Sequence, residues 1–395
     1  MSILVTEDAL SRFTLAPSFS CAATACGLKN SGALDLALVW SDTPCAAAGV
    51  FTTNRVQAAP VLLDRETLAR SASDIRGVFA NAGCANAVTG ERGMEDARRM
   101  QALGAQVIGA RADQVLVLST GVIGVFLDME KLARGATALG GGSARRAAAD
   151  AARAVTTTDT VPKIASLTAH PGGRDVAISG FAKGAGMIHP RMATMLAVLT
   201  TDAGIDAPRL ERALRNAVAR SFNRISVDGD MSTNDTVLVL ASGASGVVVG
   251  DACGSLARQV ARDGEGATRL VELRVTGAAS EAQAHRVGDS IACSPLVKTA
   301  IHGNDPNWGR ILAAAGYSGE DITPERVRLW FGERDEIQLL ERGLPVAFDA
   351  AAASALLARD PAVAHLDLGL GGASAVIWTC DFSADYVRIN ADYTT

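Results

Sequence analysis

Short, uninterrupted apolar runs place the strongest limit on how this chain can fold. Gln114-Val-Leu-Val-Leu-Ser119, Thr194-Met-Leu-Ala-Val-Leu-Thr200 and Thr236-Val-Leu-Val-Leu240 are of strand length, and none alternates apolar with polar residues. Runs of this kind read as strands inside a core rather than at its edge. Asp175–Gly180 and Leu270–Val275 add further strands, and strand pairs are expected near Val327–Phe331 with Glu336–Leu340, and from Leu366 to Trp378. Between them lie segments of helical character. Ser143–Val155 is Ala-rich, with Ser143 as its expected N-cap. Pro208–Phe222 aligns Leu210, Leu214 and Val218 on one face. Ser280–Ile291 opens with a capping box of Ser280 and Gln283, and a helix is expected around Ala350–Ala358. Strands and helices follow one another in mixed order without internal repeats, which favours an α+β fold of stacked layers over a purely parallel sheet. Aromatic residues make up only 4% of the 395 residues, so the core packs small and branched aliphatic side chains, as close layers require. Gly140-Gly-Gly142 is the one soft linker, too short to mark a domain boundary.

Charge and composition exclude several classes of function. The net charge is −5 and the Lys and Arg residues are scattered, so no nucleic-acid partner is expected, since that binding rests on clustered cations. Arg145-Arg146 reads as a solvated helix face. No apolar run has the length of about 18–20 residues needed to cross a bilayer, so no membrane association is expected. The first residues carry Glu7 and Asp8 and match neither a secretory signal nor an Arg-rich presequence. The seven cysteines, at 21, 26, 45, 84, 253, 293 and 380, are odd in number and widely spread. They read as reduced core residues of a cytoplasmic protein, and no metal site or cofactor is expected from them.

The chemistry concentrates in Lys183-Gly-Ala-Gly-Met-Ile-His-Pro-Arg-Met-Ala-Thr-Met-Leu-Ala-Val-Leu-Thr-Thr-Asp202. Gly184 and Gly186 allow backbone conformations closed to other residues. Pro190 keeps His189 out of the helical region, so the approach to Thr194 is extended. Thr194 then opens an apolar strand, with the small Ala193 before it. That order suits an N-to-O acyl shift, in which the Thr194 hydroxyl attacks the Ala193 carbonyl and hydrolysis of the ester frees an N-terminal threonine. The freed α-amine, with an ordinary pKa of about 7.7–8.0, can serve as general base to its own hydroxyl. On residues alone, the stronger reading of Thr194 is simply the β-branched start of a core strand, and spacing does not overturn it.

This segment closely resembles the self-cleavage segment of the ornithine acetyltransferases, also called glutamate N-acetyltransferases. Further blocks resemble the family in the same order: Ala48-Gly-Val-Phe-Thr-Thr-Asn54, Ala58-Ala-Pro60, Ala85-Asn-Ala87, Ser119-Thr-Gly-Val-Ile-Gly124, Thr157-Thr-Asp-Thr160, Ser294-Pro-Leu-Val-Lys-Thr-Ala300, Gly303-Asn-Asp-Pro-Asn-Trp-Gly-Arg310 and Tyr386-Val-Arg-Ile-Asn-Ala-Asp-Tyr393. The resemblance spans essentially the whole chain. It implies a layered helix/sheet sandwich of the self-processing N-terminal-threonine type. Cleavage between Ala193 and Thr194 would give fragments 1–193 and 194–395 that form one interlocked enzyme, with two copies of each in a heterotetramer. The implied reaction is ping-pong acetyl transfer from N-acetylornithine to glutamate in arginine biosynthesis, through an acetyl ester on Thr194 and without a cofactor. Some family members also accept acetyl-CoA, and both donors stay open here. A self-processing amidohydrolase or aminopeptidase, passing the acyl group to water, is the alternative.

The resemblance also implies residue roles. Thr120 and Gly121 supply the oxyanion hole, where backbone donors meet the charge of the tetrahedral intermediate. Thr157, Lys183, Thr194, Glu281, Asn390 and Thr395 contact substrate. Lys183 suits an α-carboxylate and Glu281 the ornithine ammonium, while Glu281 also suits the first turn of a helix. The closing Asn390–Thr395 segment is expected to fold over the site. His189 reads as structural, and Asn304–Arg310 as a turn supporting the site. The chain departs from the family pattern at Ala185, where Ser is common, at Arg191, where Asn is common, and at Cys84, a position usually polar.

Overall fold

In the computed structural model, residues 4–141, 147–170, 173, 175–189, 195–243 and 249–392 are described. The chain forms two compact units, residues 1–223 with 230–260, and residues 224–229 with 261–395.

The first unit is built on strands β1 (Phe19–Thr24), β2 (Leu36–Phe51), β3 (Ile75–Cys84), β4 (Val115–Val122), β5 (Lys163–Ala169), β6 (Val176–Lys183), β7 (Leu196–Thr201) and β9 (Thr236–Ala241). Their order is β4-β3-β2-β9-β7-β6-β5, with β1 beside β2. β2 makes this arrangement possible by changing partners along its length. Leu36–Trp40 pairs with β3, and Ala46–Phe51 pairs with β9. The switch falls at exposed Asp42-Thr43-Pro44, where proline removes a ladder donor and the β3 register shifts. The two halves of the sheet thereby come face to face. One core joins Val39, Val78, Leu116 and Leu118 from the first half to Phe181, Leu196, Val198, Leu238 and Leu240 from the second. On β4 the alternate residues Val115 and Val117 turn to a separate core with Met100 and Leu132, from helices α3 (Gly90–Ile108) and α4 (Met129–Gly140). The layers therefore include helix, half-sheet and half-sheet, and helix Ala207–Ala219 packs against β2 outside that shared core. β7 and β9 are buried at every position and lie together in parallel, as their unbroken apolar sequences predict.

The helix expected from Ser143 is shorter than its Ala-rich stretch. It runs Ala148–Ala154 with Ala147 at its N-cap and no side-chain cap, while Ser143 and Arg145-Arg146 lie outside the described residues. Ala151, Ala152 and Ala154 are fully buried in the core shared by both half-sheets. Helix formation thus follows where alanine can be packed rather than where it is merely abundant. The amphipathic helix expected from Pro208 is present as Ala207–Ala219, capped by Asp206.

The second unit holds β8 (Ile225–Ser226), β10 (Leu270–Ala278), β11 (Arg328–Phe331), β12 (Ile337–Glu341), β13 (Leu344–Pro345), β14 (Ala362–Asp367) and β15 (Ala373–Cys380), ordered β13-β12-β11-β14-β10-β15-β8. β11 and β12 form the expected antiparallel pair. The segment expected as strands from Leu366 to Trp378 is split instead, with β14 ending at Asp367 and β15 beginning at Ala373. Gly369 has φ +64° between them, a left-handed turn residue. A helix, Glu281–Ala292, packs on β10 and β15. Ser280 Oγ accepts from the Gln283 amide, but the Gln283 side chain accepts from Ala279 rather than Ser280, so only half of the expected box forms. The Asn304–Arg310 block joins helix Pro295–His302 to helix Trp308–Gly316. Parallel and antiparallel pairings occur in both units, as expected of an α+β fold.

Candidate active site

In the first unit the C-terminal ends of β4 and β6 bring expected site residues together. Lys183, the last residue of β6, donates from Nζ to Thr120 Oγ1 at 3.2 Å. Both side chains are buried, which excludes the solvated-surface role that a lone lysine usually has. Lys183 pairs across the ladder with Leu196, two residues beyond Thr194. Thr194 itself, Ala193, Arg191 and Thr395 lie outside the described residues.

Thr120 and Gly121 lie within β4, at a bulge set by two glycines in contact. Gly121 has φ +130° and pairs with Gly83, which has φ +118°, at a register shift between β3 and β4. A Cβ on Gly121 would stand 2.3 Å from the Gly83 carbonyl carbon and 2.6 Å from the Cys84 nitrogen. Both atoms are backbone, so neither can rotate away. Gly121→Ala is expected to cost about 1–3 kcal/mol of strain and to depress acyl transfer more than substrate affinity. Thermal melting together with kcat and KM checks this. A polar network flanks the bulge: Ser119 Oγ donates to Asn81 Oδ1 at 2.6 Å, and Asn81 Nδ2 to the Cys84 carbonyl at 2.9 Å. Cys84, an unusual residue at its position, donates its thiol to the Val125 carbonyl at 3.2 Å, and burial pushes that thiol's pKa up. Its departure from the family pattern is thus accommodated as a core residue.

A buried carboxylate that the sequence did not single out ties the site together. Asp159 Oδ1 accepts from Lys163 Nζ at 2.5 Å and from the Gly184 amide at 2.6 Å, and Oδ2 from the Thr157 amide at 2.9 Å. Both side chains of the Asp159–Lys163 pair are 0% exposed. Burial would push the Asp159 carboxyl up, but the Lys163 and Lys183 ammonium groups and the Gly184 amide outweigh it and hold the carboxyl below its usual range. Thr157 and the Lys183–Gly184 strand end are thereby fixed to one anion. The i, i+4 spacing of Asp159 and Lys163 was the available signal, and it lay partly inside the Thr157–Thr160 block.

Asp235 is a second carboxylate absent from the sequence reading. It accepts the Met195 amide at 3.1 Å. Beside it, Asn234 Nδ2 donates to the carbonyls of Ala85 at 2.7 Å and Ser119 at 2.9 Å.

Glu281 and Asn390 lie in the second unit. Glu281 is the first residue of its helix and pairs with Arg224, so its carboxylate already has a cationic partner. Asn390 lies on the helix Ala384–Asp392 and donates to Glu265 Oε2 at 2.9 Å. The chain end is thus helical through Asp392, and Asn390 is anchored within the second unit. His189 is half-buried. None of the seven cysteines forms a disulfide, and among the described residues no helix is long and apolar enough to cross a membrane.

Fold and site together define a layered α+β protein with a buried lysine–threonine pair beside a glycine bulge near the end of β4. The chain belongs to the ArgJ family, which it matches over residues 20–395. It is 48% identical to the arginine biosynthesis bifunctional protein ArgJ of Symbiobacterium thermophilum, over 96% of this chain and 98% of that one. It is 47% identical to the protein of the same name from Geobacter sulfurreducens, over 95% of this chain and 99% of that one. Among solved structures it is similar to the arginine biosynthesis bifunctional protein ArgJ of Bacillus halodurans, at 44% identity, 51% coverage of this chain and 100% of that chain, with a TM-score of 0.49.

Proposed function

We propose that this chain is an acetyltransferase of arginine biosynthesis that moves the acetyl group of N-acetylornithine to glutamate through an ester on Thr194. Membership of the ArgJ family, whose members include curated arginine biosynthesis bifunctional proteins, carries the reaction class. Within the site, the observation that best supports the reading is the Lys183–Thr120 contact beside Gly121. It supports a reading in which Lys183 meets a substrate carboxylate beside the glycine bulge proposed to hold the oxyanion.

The chemistry runs in two halves. After cleavage, the Thr194 amine takes the proton of its own hydroxyl, and Oγ attacks the acetyl carbonyl of N-acetylornithine. Thr120 and Gly121 receive the developing negative charge. The intermediate collapses, the ornithine nitrogen takes the proton, and ornithine leaves an acetylated Thr194. Glutamate then attacks the ester through its amine, and the proton returns to Thr194. Lys183 binds the α-carboxylate common to both substrates, which explains one site serving two side chains of opposite charge. Thr157, Glu281, Asn390 and Thr395 complete the proposed contacts, with Glu281 directed at the ornithine ammonium. The proposed assembly is a heterotetramer with two copies of each fragment, located in the cytoplasm, a compartment that cysteines without disulfides suit.

Isotope-labelled N-acetylornithine tests the acceptor. With glutamate present, the label is expected in N-acetylglutamate; without it, turnover should stop after one acetyl group per Thr194. Sustained acetate release without glutamate would instead establish the amidohydrolase reading. Labelled acetyl-CoA with glutamate decides in the same assay whether a second donor is accepted.

A further inference from the structure

The loop between β1 and β2 is drawn around one buried anion. The amides of Cys26, Gly27, Leu28 and Lys29 all donate to the Asp35 carboxylate, at 2.6–3.1 Å. Four convergent donors fix the backbone at Lys29. Its side chain is held as well, since Nζ donates to the Leu34 carbonyl at 2.6 Å and to the Ala154 carbonyl at 3.2 Å. Neither partner is an anion, and an ammonium has three protons to share, so one is left for a ligand. Lys29 lines a cavity of about 500 Å³ in the first unit, together with Thr24, Leu34, Arg153 and Thr156. That volume suits a small molecule. The described residues around the cavity include two cations and no carboxylate. Arg153 already faces Glu7 at 2.8 Å and Asp150 at 3.5 Å, whereas the hydrogen bonds of Lys29 go to neutral groups.

The cavity adjoins the candidate active site. Thr156 lines it, and the amide of the next residue, Thr157, donates to Asp159, which also accepts from the Gly184 amide beside Lys183. The charges report the same proximity. Burial pushes the Lys29 ammonium's pKa down, Asp35 and Asp159 oppose that, and Lys183 adds to it. Lys29 and Lys183 thus share the field of Asp159 while repelling each other. A ligand with two carboxylates would relieve that repulsion.

We propose that this cavity receives the side-chain carboxylate of the acceptor glutamate, with Lys29 as its cation, an inference that rests on the acetyl transfer proposed above. Lys183 takes the α-carboxylate that both substrates carry. Lys29 donates to the carboxylate that only glutamate has. The side-chain ammonium of ornithine is repelled from the same cavity, so the two half-reactions share an α-carboxylate site but not a side-chain site.

Two measurements on the purified full-length enzyme test this: single-turnover acetylation of Thr194 by N-acetylornithine, and KM and kcat for glutamate and for glutamine as acceptors. Glutamine keeps the amine and the α-carboxylate and changes only the side-chain carboxylate to an amide. Wild type should prefer glutamate. Lys29→Gln should raise KM for glutamate by about 10–100-fold, the loss of a charge-assisted hydrogen bond, while glutamine and the donor half-reaction change little. Lys29→Arg keeps a cation and should retain most of the preference. Ala33→Asp puts an anion on an exposed residue of the same cavity, and should weaken glutamate but not glutamine. A merely structural Lys29 would impair both acceptors alike. That result would overturn the proposal, as would an unchanged glutamate-to-glutamine ratio in Lys29→Gln or a wild type that does not distinguish the two. If Lys29→Gln does not fold, an unchanged ratio in Ala33→Asp overturns it instead. A wild type that forms no acetyl ester on Thr194 would refute the transfer reaction itself and this inference with it.

Discussion

Thr194→Ala is expected to appear on a denaturing gel as one chain of 40.6 kDa, where the wild type appears as residues 1–193 and 194–395. Its transfer activity should fall by on the order of 10⁴-fold or more, because the same substitution removes both the nucleophile and the production of the amine that activates it. Intact mass and initial rates check the two parts separately. The wild-type fragments should nonetheless remain together under native conditions. β6 and β7 would belong to different fragments, yet they pair from Ile178 with Thr201 to Lys183 with Leu196. β7 also pairs with β9 and β9 with β2, so separating the fragments would open a sheet through its buried middle. Size-exclusion chromatography should therefore give one species containing both fragments. A wild type that stays uncut while transferring at full rate would remove Thr194's amine as the base.

The core strand Leu196–Thr201 and its neighbour β9 were legible because both are apolar at nearly every position, a pattern that suits a strand covered on both faces. That Thr120 and Gly121 stand where a buried strand meets a glycine was legible too, but both stay inside β4, and the bulge between Gly121 and Gly83 was not. Asp159 and Asp235 were not. A carboxylate gains meaning from what faces it, and the groups facing these two come from distant sequence. Gly184 reaches Asp159 from the end of another strand, and Met195 reaches Asp235 across the β7–β9 pairing. In sequence, Asn234-Asp235 looks like an ordinary polar turn before a strand, and Lys163 like its solvated start. The helix from Ser143 failed differently. Local propensity favoured a long helix, but the packed portion is the Ala148–Ala154 segment that both half-sheets cover.

Asp159→Asn should be the most destabilising single change at the site. It leaves the Lys163 ammonium, 0% exposed, without its anion, and breaking such a pair from one side costs about 3–5 kcal/mol. In a unit of this size the melting temperature should fall on the order of 10 °C. The cost lies mainly in the stranded ammonium, not in the loss of a favourable pair, so a second substitution can remove it. Asp159→Asn with Lys163→Met deletes the charge and keeps an apolar stem, and should recover most of the lost stability. Transfer should recover far less. The Thr157 and Gly184 amides both depend on the Asp159 carboxylate, and Gly184 directly follows Lys183, so neither returns to its place when the fold is merely stabilised. A displacement of about 1 Å at such positions is enough for a rate loss of about 100-fold. Acid should reproduce part of the single variant's defect in the wild type. Because the folded carboxyl is held below its usual range, its contribution is complete above the unfolded value of about 3.9. That contribution declines as pH falls through this value toward the folded one. In the double variant this acid-dependent loss should be much smaller, and thermal melts of the wild type and both variants across that range measure it. Equal recovery of stability and transfer in the double variant would reduce Asp159 to a packing role, whereas stability without transfer makes it the anchor that holds Thr157 and Lys183 in place for substrate.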